Sequence, residues 1–208
     1  EPMDSIPYPA RDLLKMRDYY LQPRLVPAIH GKISKGTHIL TSRGCPYRCA
    51  FCCSSAFWQS VRLFSPEYVV GEIKHLVETY KEIESITLYD DLFTITPSRV
   101  KRVSELIRAE GLHRRLEFGC QGRANTITPG LCKDLKVMNC NTIAFGFESG
   151  SPKMLEYLKG NVTVEQNRNA IKICKEAGLT VGGSVIIGNP NETRSDIEQT
   201  FNFLKENA

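Results

Sequence analysis

Hydroxyl residues followed directly by proline recur along this chain, between runs of apolar residues. A serine or threonine at the N-cap and a proline at the first helical position together mark the start of a helix. Thr163 and Gln166 add the spacing of a capping box before another periodic apolar segment. The chain is therefore predicted to alternate short strands with capped helices, whose starts include Ser65-Pro66, Thr96-Pro97 and Thr128-Pro129.

The apolar runs between these helix starts have the length and the β-branched or aromatic content of strands buried in a parallel sheet. Successive runs lie far enough apart for a right-handed βαβ crossover. A closed eight-unit barrel needs roughly 250 residues, and this chain has 208. We therefore predict an α/β fold, an open partial (βα) barrel of about five to six parallel strands, in preference to a flat doubly wound sheet. The predicted strands are His38–Ser42, Ser85–Tyr89, Leu116–Cys120, Thr142–Phe147 and Leu179–Ile187.

The composition narrows the classes of partner. With 41% hydrophobic and 24% charged residues, the chain is able to bury a core. Its net charge of +4 is small for a nucleic-acid binder, so a nucleic-acid partner is disfavoured. No run approaches the ~18–20 apolar residues of a membrane span, and the first residues lack the pattern of a signal peptide. We expect a cytoplasmic protein that acts on a small molecule.

Eight cysteines are too few for a disulfide scaffold in 208 residues, but three of them crowd into eight positions. Cys45, Cys49 and Cys52 have the spacing C-x3-C-x2-C directly after the first predicted strand, and Cys53 follows the last. Such close spacing indicates metal ligation in a reducing compartment. A zinc site or an electron carrier would need a fourth ligand in register. Three cysteines favour a cluster with one iron left open to a ligand, although a zinc or electron-transfer module remains the alternative.

The motif C-x3-C-x-aromatic-C, with Phe51 as its aromatic residue, resembles the signature of radical S-adenosylmethionine (SAM) enzymes. The resemblance implies that Cys45, Cys49 and Cys52 hold a [4Fe–4S] cluster and that SAM chelates the open iron. Phe51 would lie beside the adenine. One electron, supplied by a donor such as flavodoxin or ferredoxin, would cleave SAM to a 5′-deoxyadenosyl radical that abstracts hydrogen from the substrate.

Two further strand ends carry polar residues that fit this family. Asp90 and Asp91 follow the second predicted strand, and the resemblance assigns this position to the amino group of the SAM methionine. The alternative is a solvated turn. Arg123 follows the third strand and would pair with the SAM carboxylate or offset the negative charge of the cluster. A surface salt bridge is the alternative for Arg123.

The fourth and fifth strands end in segments that resemble the family's nucleoside-binding motifs. In Gly-Phe-Glu-Ser-Gly, Glu148 and Ser149 would accept hydrogen bonds from the ribose. A glutamate directly after a buried apolar run is costly to bury without partners, which favours a function for Glu148. Ile187 lies in a segment whose backbone would edge the adenine, although Asn189 and Asn191 depart from the usual residues there. No catalytic residue that acts on the substrate is assigned.

The N-terminal segment, residues 1–36, includes Ile6 to Leu14, which resembles the linker between a cobalamin-binding domain and the radical SAM barrel. We therefore expect residues 1–36 to be a linker from a missing upstream domain and residues 37–208 to be a partial barrel, truncated at its C-terminus. A missing sixth strand would leave the last strand with an unpaired edge, which is an aggregation hazard. We expect self-association, or the N-terminal segment through Leu21 to Ile29, to cover that edge.

The resemblance implies a cobalamin-dependent radical SAM enzyme, a C-methyltransferase or a tetrapyrrole cyclase, with cobalamin bound in the full-length protein. A methylthiotransferase of tRNA or ribosomal protein is the second enzymatic hypothesis, and an iron–sulfur or zinc module is the non-enzymatic one. The substrate and the oligomeric state are not readable, because specificity in such barrels lies in loops and added domains.

Overall fold

The computed structural model describes residues 2–20 and 35–207. Within them lie seven strands: β1 Gly36–Ile39, β2 Ser42–Arg43, β3 Arg62–Leu63, β4 Ser85–Leu88, β5 Glu117–Gly122, β6 Cys140–Glu148 and β7 Thr180–Val185. The α-helices are α1 Met16–Tyr20, α2 Ser54–Phe57, α3 Pro66–Thr79, α4 Pro97–Ala109, α5 Pro129–Val137, α6 Pro152–Lys159, α7 Val164–Glu176 and α8 Arg194–Asn207. Single turns of 3-10 helix lie at Met3–Ser5, Arg11–Leu13, Phe93–Ile95, Leu112–Arg114 and Ala124–Thr126.

Five strands form one parallel sheet in the order β1-β4-β5-β6-β7. Each strand therefore pairs with the next large strand along the chain through a helical crossover, as parallel pairing requires. The predicted α/β class and its five parallel strands are confirmed. In the described residues β1 and β7 do not pair with each other, so the sheet is open. The carboxyl ends of all five strands lie along one edge, which we call the carboxyl edge.

A second, two-stranded sheet was not predicted. β2 and β3 pair antiparallel, with Ser42 opposite Leu63 and Arg43 opposite Arg62. Two residues are too few to show the alternation by which strands are recognised in sequence. This short ribbon brackets the cysteine-rich segment at both ends and thereby closes it into a loop.

Local capping explains where the helices begin and end. The Ser65 hydroxyl accepts a hydrogen bond from Tyr68 N at 3.0 Å, and Thr128 caps α5 in the same way. The capping box of Thr163 and Gln166 at the start of α7 is confirmed. Thr96 precedes α4 without a side-chain cap. The structure also shows α6, which was not predicted although Ser151-Pro152 carries the same signal.

The hydrophobic core lies between the sheet and the helices. Its centre is fully buried, with Ile86 and Leu88 on β4, Phe118 on β5 and Ile143 on β6. Side chains from α3, α4 and α5 cover them, and each such buried side chain contributes roughly 1.5–3 kcal/mol. Four cysteines also lie in this core, Cys120, Cys132, Cys140 and Cys174. No helix in the described part of the chain is long and apolar enough to cross a membrane.

The N-terminal segment does not cover the outer edge of β7, so that prediction is wrong for residues 2–20. Arg11 instead forms an ion pair with the buried Glu72 of α3 at 2.8 Å and donates to His38 O of β1. The Tyr68 hydroxyl donates to Ile6 O, and the Tyr8 ring packs edge-on against the Tyr68 ring. These contacts hold the segment at the opposite side of the sheet. The predicted contact through Leu21 to Ile29 lies outside the described residues.

Candidate cofactor site

The carboxyl edge carries every residue for which the sequence predicted a function. The cysteine loop, residues 44–53, follows β1 and β2. The aspartates follow β4, the arginine follows β5, the glutamate ends β6, and the isoleucine lies just beyond β7. The parallel sheet therefore places these segments side by side: Cys45, Cys49, Phe51, Cys52, Asp90, Asp91, Arg123, Glu148, Ser149 and Ile187.

The three predicted cluster ligands share one loop, but their sulfur atoms are not drawn together. Among residues 2–20 and 35–207, no three histidine, cysteine, aspartate or glutamate side chains are grouped closely enough to hold a metal ion. Cys45 and Cys49 are half-buried, whereas Cys52 is exposed. Burial raises the pKa of the Cys45 thiol. Assignment of these cysteines as ligands stays a prediction.

Asp90 anchors the start of the cysteine loop. Its carboxylate accepts hydrogen bonds from Thr41 N and Thr41 Oγ1, both at 2.5 Å, and from Ser42 N at 3.1 Å. Asp90 is only 1% exposed, and burial raises the pKa of its carboxyl group. Both oxygens are engaged, so contact with a SAM ammonium group stays a prediction. Asp91 is exposed and uses one oxygen to accept from Gly44 N at 3.0 Å, so its other oxygen is better placed for a ligand.

Arg99 is a second anchor that the sequence did not reveal. Its guanidinium donates to Thr41 O at 2.6 Å and to Phe64 O at 3.0 Å, and the residue is buried. It therefore ties both sides of the β2–β3 ribbon to α4. An arginine near the start of a helix carries no sequence signal for such a contact, because most lie in solvent.

Arg123 lies against the cysteine loop rather than on the surface. Its Nη1 is 3.3 Å from Cys49 Sγ, and its Nη2 donates to Lys159 O at 3.3 Å. The guanidinium lies 3.8 Å from the centroid of the Tyr47 ring, which is a close cation–π contact. Its Nε is buried without a hydrogen-bond partner in the described residues. The surface salt bridge considered from the sequence is not observed within them.

Glu148 ends β6 in an unusual backbone conformation. Its φ is +63°, and the pairing of β6 with β7 shifts register between Gly146 and Glu148. The side chain is 7% exposed and lies 3.4 Å from Lys159 Nζ. Burial raises the pKa of the Glu148 carboxyl group, against the opposing effects of Lys159 and Arg123. Strained residues of this kind cluster at functional sites, and Lys159 is a partner that the sequence analysis missed.

The other nucleoside-motif residues have different surroundings. Ser149 is fully buried, where its hydroxyl bonds Thr200 at 3.0 Å and accepts from Ser151 N at 3.1 Å. A ribose contact by Ser149 stays a prediction, and it would require this network to open. Phe51 and Ile187 are 45% and 47% exposed, so both present apolar surface at the carboxyl edge.

The residues at this edge fit an iron–sulfur cluster and SAM in their chemistry. Thiolates are the ligands that such clusters prefer, and three of them leave one iron for another ligand. The buried guanidinium of Arg123 lies beside Cys49 and supplies positive charge next to a sulfur that would carry negative charge as a cluster ligand. Glu148 offers a buried acceptor on the neighbouring strand end. The side chains therefore suit both cofactors in their chemistry, although the three cysteine sulfur atoms are not grouped closely enough to bind a metal ion.

Comparison with known proteins gives a family match and named relatives. The sequence profile of the Radical SAM superfamily matches residues 39–204. An uncharacterised methyltransferase of Pyrococcus horikoshii is 37% identical over 205 residues, 98% of this chain and 42% of the relative. The anaerobic magnesium-protoporphyrin IX monomethyl ester cyclase of Cereibacter sphaeroides is 29% identical over 162 residues, which cover 77% of this chain and 26% of the cyclase.

A solved structure shares the fold. The radical SAM methyltransferase TsrM from Kitasatospora setae, determined with cobalamin and a [4Fe–4S] cluster, superposes with a TM-score of 0.75 at 19% identity. The match covers 83% of this chain and 32% of TsrM. The chain thus spans less than half the length of these relatives. Since the profile covers most of the chain, this chain belongs to the radical SAM superfamily.

Proposed function

We propose that this chain is the core of a radical SAM enzyme that binds its cluster through Cys45, Cys49 and Cys52. When bound and reduced, the cluster supplies the one-electron cleavage of SAM to a 5′-deoxyadenosyl radical. The protein's own side chains bind and orient the cofactors. Arg123 offsets negative charge at Cys49, and Asp91 accepts from the SAM ammonium group.

The nucleoside half of SAM is proposed to lie over the ends of β6 and β7. Glu148 accepts from the ribose, and Phe51 and Ile187 flank the adenine with the apolar surface that they expose. The single observation that supports this arrangement best is the meeting of Arg123, Cys49, Lys159 and Glu148 at one edge of the sheet. Buried charges need partners, and here they lie beside the predicted ligand loop.

We infer further that the whole protein uses cobalamin to methylate or cyclise a small molecule at an unactivated carbon. The names of the Pyrococcus and Cereibacter relatives and the cobalamin in TsrM support this inference. Residues 1–36 then act as a linker to a cobalamin-binding domain. A flavodoxin or ferredoxin supplies the electron. The small net charge of +4 favours a small-molecule substrate over the RNA of a methylthiotransferase.

Anaerobic SAM cleavage tests the proposed activity. Protein reconstituted with iron and sulfide is incubated with SAM and dithionite, and 5′-deoxyadenosine is quantified by liquid chromatography. We expect 5′-deoxyadenosine from the wild type and none from Cys45→Ala. A wild-type protein that is loaded with cluster and yields no 5′-deoxyadenosine would contradict the proposal. Bound corrin in the longer protein distinguishes the cobalamin-dependent enzyme from a methylthiotransferase.

A further inference from the structure

The C-terminal end of α6 meets the cysteine loop and the end of β5. The last carbonyl groups of a helix have no partner within the helix. Here Leu158 O accepts from Ala50 N of the cysteine loop at 2.9 Å, and Lys159 O accepts from Arg123 Nη2 at 3.3 Å. The helix ends immediately afterwards at Gly160, whose φ is +66°. Lys159 O also accepts from Asn161 N at 2.8 Å. The cysteine loop and Arg123 are thus both bonded to the last turn of α6.

The side chain of Lys159 extends from this turn to the end of β6. Its Nζ donates a hydrogen bond to Gly146 O and lies 3.4 Å from Glu148 Oε1. The two side chains are only 8% and 7% exposed. One residue thus contacts the cysteine-loop side of the site through its backbone and the Glu148 side through its ammonium group.

A lysine in the last turn of a helix ordinarily interacts with the helix dipole while it remains in water. Lys153, in the first turn of the same helix, is exposed by contrast: its side chain is 56% exposed and pairs with Asp196 at 2.6 Å. Burial of Lys159 disfavours its charged form and lowers its pKa, which Glu148 opposes. Buried ion pairs add little to stability, so stability alone explains this placement poorly.

We propose that Lys159 is a positioning residue that holds the Glu148 carboxylate towards the SAM ribose and links it to the cluster loop. The inference rests on the proposed function, since it assigns Glu148 to SAM. Lys159 acts through Glu148 and does not itself touch SAM. Its contribution to SAM binding must therefore vanish when Glu148 loses its charge.

A double-mutant cycle on SAM affinity tests this dependence. Equilibrium dialysis of cluster-loaded protein gives the Kd for SAM in the wild type, Lys159→Gln, Glu148→Gln and the double variant. Glutamine keeps an N–H donor but carries no charge. We expect Lys159→Gln to weaken SAM binding by about ten-fold, the scale of one charge-assisted hydrogen bond. The double variant should bind SAM no more weakly than Glu148→Gln, as expected for residues that act together.

Two control variants test whether the effect depends on the charge at position 159 or follows from the loss of any lysine. Lys172→Gln removes a lysine of α7 that is 73% exposed and pairs with Glu176, and its SAM affinity should equal that of the wild type. Lys159→Arg keeps the charge and should recover most of the affinity lost in Lys159→Gln. Thermal melting of each variant without cluster measures any general effect on the fold, and we expect the melting temperature of Lys159→Gln to change little.

The SAM-binding measurements distinguish a failure of the proposed role of Lys159 from a failure of the proposed function. Wild-type protein that carries a cluster but binds no SAM would contradict the proposed function itself. If the wild type binds SAM, additive losses in the double variant or an unchanged Kd in Lys159→Gln would overturn the role of Lys159. A Lys159→Gln protein that does not fold would assign Lys159 to stability and overturn the proposal equally.

Discussion

At the scale of single residues, the end of β6 is shaped by a glycine and a strained glutamate. Glu148 has a left-handed backbone, which costs a non-glycine residue about 1 kcal/mol. A Cβ atom on Gly146 would occupy the position of the Glu148 carboxylate and lie 3.0 Å from its Cδ. The absence of a side chain at position 146 is therefore a condition for the buried position of Glu148.

Gly146→Ala should displace Glu148 while the fold persists, because the obstructing atoms belong to the end of a flexible side chain. We expect weaker SAM binding, by at least ten-fold on the scale of one lost charge-assisted hydrogen bond, with a small change in melting temperature. Calorimetric titration of SAM into cluster-loaded protein and thermal melting measure the two quantities.

Gly150→Ala is the matched comparison. Its Cβ would lie 2.5 Å from Gln199 O and 2.8 Å from Thr200 Cα, so it would press on the backbone of α8. We expect this variant to lose about 1–3 kcal/mol of stability. An equal fall in melting temperature for both variants, with SAM affinity preserved in Gly146→Ala, would show that Gly146 does not make room for a functional side chain.

Part of the site was accessible to sequence reasoning at this scale. Glu148 follows a buried apolar run, so its polarity was conspicuous. Lys159 was missed because a lysine at the end of a helix is ordinarily a surface residue. The direction in which the Ser149 side chain points could not be predicted from sequence either. It depends on the positive φ of the preceding residue, and sequence patterns rarely indicate a positive φ except at glycine.

At the scale of elements, one carboxylate joins the starts of α6 and α8. Asp196 accepts from the Ser151 hydroxyl at 2.6 Å and from Lys153 Nζ at 2.6 Å. It also accepts from Thr193 N at 2.8 Å, which completes a capping arrangement at the first turn of α8. The Thr193 hydroxyl donates to the same carboxylate at 2.6 Å. Together these four donors hold the pKa of Asp196 well below its ordinary value of 3.8.

Asp196→Asn should lower the melting temperature at pH 7, and the difference from the wild type should narrow as the pH falls below about 4. The folded-state pKa lies below the unfolded value of 3.8, so the ionised group stabilises the fold above that value. This stabilisation is lost as the pH falls towards the folded-state pKa. Melting curves between pH 3 and pH 7 measure the narrowing.

Glu198→Gln is the control on the same helix, because Glu198 forms an exposed pair with Arg194. Such surface pairs contribute about 0–1 kcal/mol, so its melting temperature should follow the wild type at every pH. If the difference in melting temperature between Asp196→Asn and the wild type stayed constant across the pH range, it would contradict a lowered pKa of Asp196.

The elements that obey local rules were predicted best. Caps and C′ glycines act within a few residues, so the starts of α3, α5 and α7 and the end of α7 at Gly178 were readable. The β2–β3 ribbon depends on Arg99, whose bonds to the ribbon join residues far apart in the chain. Long-range contacts of this type leave no periodic pattern.

At the scale of the whole molecule, the sheet order determines both the site and an unpaired edge. β7 pairs with β6 on one side, and no strand in the described residues pairs with its other side. The N-terminal segment could not be placed from sequence, because Glu72 resembles any exposed helical glutamate until Arg11 is seen beside it. That segment packs on α3, away from β7.

We expect the isolated chain to self-associate through the outer edge of β7, since an unpaired strand edge is a template for pairing. Size-exclusion chromatography with light scattering should give a mass that rises with concentration above that of one chain. Thr180→Lys places a charge on this exposed edge position and should reduce the association. A mass of one chain at all concentrations would contradict the prediction.

The central claim is that three cysteines of one loop hold a SAM-binding [4Fe–4S] cluster, and electron paramagnetic resonance tests it most directly. Protein reconstituted anaerobically and reduced should show a [4Fe–4S]⁺ signal that changes when SAM is added. Cys49→Ala should abolish the signal, whereas Cys53→Ala, which alters an exposed cysteine of the same loop, should retain it. Loss of the signal in Cys53→Ala, or a wild-type signal that SAM leaves unchanged, would contradict the account.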